Sequence, residues 1–199
     1  MQLLIGTSNK GKIQEIRDAL SSVSVTIVTP TELGITGLPE EKGTTYEENA
    51  RQKAAYYHRQ SGLCTLADDS GIIVDALQNE LGIHTRRWGK GSDATDYEWV
   101  QFFLERMRAE KKRDARFLCM LCYIDDKGVE YVFEGSCSGV ITKELEAEYL
   151  PGLPISACFK PNGYEKVFSA LSVDEKNAIS HRGKALQAFV HHLSGKSNL

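Results

Sequence analysis

Leu3-Leu4-Ile5-Gly6-Thr7-Ser8-Asn9-Lys10-Gly11-Lys12-Ile13 carries three signals in succession. Its first three residues read as a short buried strand. Gly6-Thr7-Ser8-Asn9 is a cluster of turn and cap residues. Ile13, Ile16 and Leu20 then recur at helical spacing, which predicts a helix over about residues 10–21. Val23, Val25 and Ile27 alternate beyond it and predict a second strand. Strand, turn, helix and strand in this order point to an α/β fold.

Further along, the same signals repeat. Thr44-x-x-Glu47 and Thr45-x-x-Glu48 are overlapping capping boxes that open a long alanine-rich helix ending near Gly62. Residues 64–67 read as a buried strand leading into Asp68-Asp69-Ser70-Gly71, with an apolar stretch over 72–77. Thr95-x-x-Glu98 caps a helix with Val100, Phe103, Leu104 and Met107 on one face. Residues 116–124 and 129–137 predict a hairpin around Asp125-Asp126-Lys127-Gly128. A last helix is expected from about Ser180 to Gly195, followed by a mobile tail over 196–199.

The chain has 199 residues, 41% hydrophobic and 26% charged, with a net charge of -3. A chain of this length buries roughly 70% of its unfolded surface, so it needs no disulfide or metal to build a core. Residues 1–195 read as one domain, with room for an inserted lobe. Disorder is disfavoured, and no apolar run approaches the ~20 residues of a membrane span. Residues 1–12 show no basic region leading into an apolar stretch, so no secretory signal is expected. The five cysteines are odd in number and irregular in spacing, which fits reduced thiols and a cytoplasmic setting. Cys119 and Cys122, three apart on a strand, should face opposite sides and pack as core residues. The mild acidity argues against a nucleic-acid binder with a broad basic face, though not against a small polyanion.

Three segments carry candidate chemistry. Residues 6–13 almost match the P-loop pattern, failing where Ile13 replaces the hydroxyl that would hold magnesium. A helix start with free N–H groups holds phosphate well; a plain turn with two exposed lysines is the alternative. Asp68 and Asp69 are adjacent carboxylates beside a core, a costly arrangement unless a cation such as Mg2+ offsets it; a capped turn is the alternative. In Lys176-Asn177-Ala178-Ile179-Ser180-His181-Arg182, Ser180 reads as a helix cap, and cations in the first turn oppose the helix dipole. An anionic partner would compensate them; a basic surface turn is the alternative. Taken residue by residue, Lys53 reads as a solvated face, Glu40 and Glu41 as loop charge, residues 93–96 as a helix cap, and Trp88 and Trp99 as core or rim.

In this order the segments resemble the inosine triphosphate pyrophosphatase family. The resemblance rests on Thr7-Ser8-Asn9-Lys10-Gly11-Lys12; on Glu40-Glu41-x-Gly43-Thr44 with Glu48-Asn49-Ala50-x-x-Lys53-Ala54; on Ala67-Asp68-Asp69-Ser70-Gly71 with Val74-Asp75-Ala76-Leu77; on Thr85-Arg86-Arg87 with residues 91–96; and on residues 176–182. One segment departs. Where the family carries G-F-G-Y-D-P before F-x-P-x-G, this chain has Gly152-Leu153-Pro154-Ile155-Ser156-Ala157 before Phe159-Lys160-Pro161-Asn162-Gly163. The aromatic residues and aspartate of the base pocket are replaced, which bears on base selectivity.

The resemblance implies an elongated, two-lobed α/β domain with a central mixed twisted sheet flanked by helices and an active cleft between the lobes. It implies Mg2+-dependent hydrolysis of non-standard purine nucleoside triphosphates (ITP, dITP, XTP) to the monophosphate and pyrophosphate, by a homodimer. It places Glu40 and Asp69 on the metal, Asp69 on the attacking water with Asp68 in support, and residues 7–12 and Lys53 on the phosphates. Ser70 falls beside phosphates or sugar, and Leu153, Pro154, Ile155 and Ser156 with Lys176, His181 and Arg182 at the base. A P-loop-like kinase or NTPase and a non-catalytic nucleotide-binding regulator are the alternatives.

Overall fold

A computed structural model of the chain describes residues 1–78, 80–83, 88–89, 91 and 93–196. Six strands form one mixed sheet in the order β2-β1-β3-β4-β5-β6. The strands are β1 (Gln2–Ile5), β2 (Thr26–Val28), β3 (Cys64–Val74), β4 (Asp114–Ile124), β5 (Glu130–Ile141) and β6 (Phe159–Pro161). β1 runs parallel to both β2 and β3, and the remaining pairs are antiparallel. Around the sheet lie α1 (Lys10–Ala19), α2 (Tyr46–Ser61), α3 (Asp96–Arg106), α4 (Val173–Ile179) and α5 (His181–Lys196).

Several expectations are met in detail. Asn9 caps α1, its side chain accepting from the Lys12 amide. Thr45 caps α2, and Thr95 with Glu98 closes a reciprocal capping box on α3. Cys119 packs in one core and Cys122 in another, and all five cysteines are free and buried. Burial pushes both thiols up to about 12, which leaves them inert at neutral pH.

Other expectations are corrected. The strand expected over 64–67 runs on to Val74, and the turn alternative for Asp68-Asp69-Ser70-Gly71 does not form, because β4 pairs with every residue from Thr65 to Val74. The second strand is only three residues long, since Val23 and Val25 are held in a turn by bonds to Leu20 and Val23 carbonyls. Lys176 lies on a separate short helix, α4, capped by Ser172 and Glu175. α5 passes through Gly195 rather than stopping there. The expectations for Thr85-Arg86-Arg87, Ser92 and residues 197–199 fall outside the described residues.

β3 organises the molecule. β1 stops at Ile5, opposite Leu66, while β3 continues for eight residues paired only with β4. Alternate side chains of a strand share a face. On one face Leu66 joins a core with α1 and α5 residues such as Ile16 and Phe189. Ile72 and Val74 join a second core with Trp99, Val100 and Phe103 of α3. Asp68 and Ser70 fall between the two. The opposite face packs Ala67 against Ala50 and Ala54 of α2. Thus a polar break in one strand separates two apolar cores and leaves an open strand edge between them.

Candidate active site

A cavity of about 460 Å3 opens at this break. Of the residues singled out in sequence, Thr7, Ser8, Asn9, Lys12, Lys53, Asp69 and Ser70 line it. So do residues 153–156 together with Lys176, His181 and Arg182. Lys10, Gly11, Glu40 and Asp68 do not.

Asp68 and Asp69 are adjacent, but the pleat sends them to opposite faces, which removes most of the repulsion expected between them. Asp69 meets α2: Lys53 Nζ is 2.8 Å from Oδ1, and Asn49 Nδ2 donates to Oδ2 at 3.2 Å. Lys53 also pairs with Glu41 at 3.1 Å. Burial opposes the Lys53 charge, yet Asp69, Asp68 and Glu41 together hold its pKa above the usual lysine value. Helical spacing explains the convergence, since Asn49 and Lys53 are one turn apart on α2.

Glu40 stands outside the site. Its side chain is 76% exposed and pairs with Lys42 at 2.6 Å, whereas Glu41 lines the cavity. In an irregular loop no periodicity tells neighbouring residues apart, so sequence spacing could not choose between them.

Asp68 lies beneath the cavity, buried on the α1 and α5 side. Lys12 sits 3.0 Å and Arg182 3.1 Å from its Oδ2, and the Ser70 hydroxyl donates to the same oxygen. Burial works against its ionised form, but the Lys12 and Arg182 cations hold the carboxyl far below the usual range. It therefore carries no proton near neutrality and acts as an anchor for two cations.

The anionic partner expected for the closing segment is Glu15 of α1, which sequence reading passed over. Its carboxylate is 2.5 Å from Lys176 Nζ and also binds Arg182. Its burial would raise the pKa, and Arg182 and Lys176 bring it below the ordinary value. Glu15 stands three residues after Lys12, so the two share a helix face; that spacing was the available signal.

His181 is buried and stacks on Phe117 at 4.6 Å, with Phe168 beyond. Burial first, then the Arg182 cation, holds its pKa well below the usual value, so the ring is neutral at pH 7. Trp99, Phe117 and Phe168 also border the cavity. They come from three distant segments, and nothing in their local sequence marks them as site residues. Within the departing segment, residues 154–157 form a 3-10 turn, and the Ser156 hydroxyl donates to the Leu153 carbonyl at 2.6 Å.

Among the described residues no group of three or more His, Cys, Asp or Glu side chains gathers as a metal site. Glu41 and Asp69, however, present two carboxylates to one cation, Lys53. That pair suits a hard cation that takes its other ligands from water and substrate phosphate.

The chain is similar to several known proteins over nearly its whole length. The chain is 38% identical over 192 residues to a dITP/XTP pyrophosphatase of Thermus thermophilus, covering 96% of this chain and 90% of that protein. It is 34% identical to the dITP/XTP pyrophosphatase of Leptospira interrogans, covering 98% of each. The HAM1 protein of Coxiella burnetii superposes with a TM-score of 0.82 at 30% identity, over 98% of this chain and 99% of that one. The Staphylococcus aureus Ham1 protein superposes with a TM-score of 0.81 at 28% identity, over 98% of this chain and all of that one. The Ham1 family's sequence profile matches residues 3–192, so nearly the whole chain, both cores and the polar break included, belongs to the Ham1 family.

Proposed function

We propose that this protein hydrolyses non-standard purine nucleoside triphosphates, such as ITP, dITP and XTP, to the monophosphate and pyrophosphate. The observation that carries this reading is the meeting, in one cavity, of a helix start, a Lys53–Asp69–Glu41 cluster and a stacked His181–Phe117 wall.

The chain's own groups divide the work. The 7–9 loop and the first turn of α1 offer N–H groups and a positive dipole end to the phosphate chain. Lys53 adds a cation beside them. Asp69 orients a water and takes its proton as the water oxygen attacks the α-phosphorus; the bond to the bridging oxygen of the β-phosphate breaks and pyrophosphate leaves. Both Asp69 oxygens keep a lone pair for this after their bonds to Lys53 and Asn49. Glu41 and Asp69 would hold Mg2+, with Glu41 taking the place first given to Glu40. Such an ion neutralises part of the triphosphate charge and polarises the α-phosphoryl group.

At the base, Lys176 keeps N–H donors beyond the one on Glu15. A 6-oxo purine presents an acceptor there where adenine presents an amino group. The same reading takes residues 1–195 as one catalytic unit, working as a cytoplasmic homodimer on a small-molecule substrate without nucleic acid. No helix among the described residues is long and apolar enough to cross a membrane.

Incubation with dITP and Mg2+ tests the reading. Pyrophosphate and dIMP are expected. Orthophosphate with dIDP would overturn it in favour of an NTPase, and tight binding without turnover would favour the regulator.

A further inference from the structure

The loop that roofs the base side is tied to two other elements through one residue. Gly152 offers one carbonyl and one N–H, and both are taken. Asn9 Nδ2 donates to the Gly152 carbonyl at 3.1 Å, while the Gly152 N–H donates to Asp96 Oδ2 at 2.5 Å. Next to it the Gly11 amide donates to the Pro151 carbonyl at 3.2 Å. The packing admits no side chain here. A Cβ at Gly11 would fall 2.7 Å from the Pro151 oxygen, and one at Gly152, where φ is +83°, would fall 2.5 Å from Asn9 Nδ2.

The two side-chain ties differ in what else they do. Asn9 also caps α1 through its Oδ1, so the phosphate loop and the roof share one side chain. Asp96 stands in the first turn of α3, whose cap is already complete through Thr95 and Glu98. Helix capping therefore does not account for the Asp96–Gly152 bond.

We propose that Asp96 is a positioning residue for the base side of the site: it holds residues 152–156 over the cavity, in fixed relation to the phosphate loop. This rests on the pyrophosphatase reading above. The departing segment is where such a tie matters most. Leu153 and Ile155 offer packing rather than directed bonds, so their placement depends on the backbone that carries them.

Asp96→Ala should raise KM for dITP about 10-fold, the effect of losing a hydrogen bond to a charged group, with kcat within about 3-fold. Inhibition by inorganic tripolyphosphate, which has no base, should be unchanged. Asp96→Asn keeps an acceptor for the Gly152 N–H and should restore KM. Thr95→Ala, which weakens α3 without touching the loop, should lower Tm and leave KM alone. Equal weakening of dITP and tripolyphosphate would overturn the proposal. So would an Asp96→Asn variant as impaired as Asp96→Ala, or a Thr95→Ala variant with the same rise in KM. If the wild-type protein releases no pyrophosphate, the functional reading fails separately, and calorimetric binding of IMP decides this inference. Weaker IMP binding by Asp96→Ala at unchanged pyrophosphate binding supports it; equal IMP binding, or none by the wild type, overturns it.

Discussion

The two sides of the cavity are built from different physics. On the side proposed for the phosphates, the two lining lysines each have a buried or partly buried carboxylate: Lys53 has Asp69 and Glu41, and Lys12 has Asp68. Position there is set by charge, at distances near 3 Å. Across the cavity the 153–156 segment works differently from its charged neighbours Lys176 and Arg182: Leu153, Pro154 and Ile155 contribute shape, and the one hydroxyl of that turn, on Ser156, is bonded to its own backbone. A charge network tolerates few substitutions, because removing one member leaves another buried and unpaired. A packed surface can exchange side chains of similar volume at small cost. Reaction type should therefore be sensitive to changes on the first side, and selectivity to changes on the second.

The hardest test of that contrast is Asp69→Asn. It keeps the volume and one acceptor but removes the group that takes the proton. Turnover should fall by roughly 10^2 to 10^4-fold, the usual worth of a positioned general base. The fold should survive, since the amide can still meet Asn49 or Lys53. Pyrophosphate release and a thermal melt check the two halves. Activity within about 10-fold of wild type would remove Asp69 from the chemistry and dissolve the contrast.

Arg182 links the two sides, because it binds both Asp68 and Glu15 and is only 2% exposed. Replacing it by Met leaves two buried carboxylates short of a partner. A loss of about 3–5 kcal/mol is expected for breaking a buried pair in this way, measured by denaturant unfolding. A loss below about 1 kcal/mol, the range of an exposed pair, would mean that the network under the cavity is ordinary surface charge.

How much of this was legible beforehand follows the same division. Local signals were reliable: Asn9, Thr45 and Thr95 cap the helices that their spacing announces, and residues 125–128 turn the β4–β5 hairpin. Order along the chain brought Lys53, Asp69, Lys176 and Arg182 to one site through the family resemblance. What stayed hidden depends on distant partners. Asp-Asp-Ser-Gly has turn composition, and only the ten-residue pairing with β4 holds it extended. Whether Glu40 or Glu41 faces inward depends on where Lys53 lies, and the aromatic wall joins three segments far apart in the chain. α4 was legible and missed, for Ser172-x-x-Glu175 is a capping box of the kind read elsewhere.

The smallest effect is the most discriminating about the base side. The resemblance places Ser156 where a base-reading aspartate would stand. Its hydroxyl, however, donates to the Leu153 carbonyl within the same turn, and the residue is only 6% exposed. A hydroxyl so engaged stabilises the turn and has no proton left for a ligand. Ser156→Ala should cost about 1 kcal/mol of stability, the net worth of one hydrogen bond. It should change KM for dITP and XTP by the same factor, within about 2-fold. Paired steady-state assays on the two triphosphates read this directly. A selective change for one base would mean that the hydroxyl leaves Leu153 when substrate binds. The 153–156 segment would then read its ligand by a directed bond, as Lys176 is proposed to do, and not by shape.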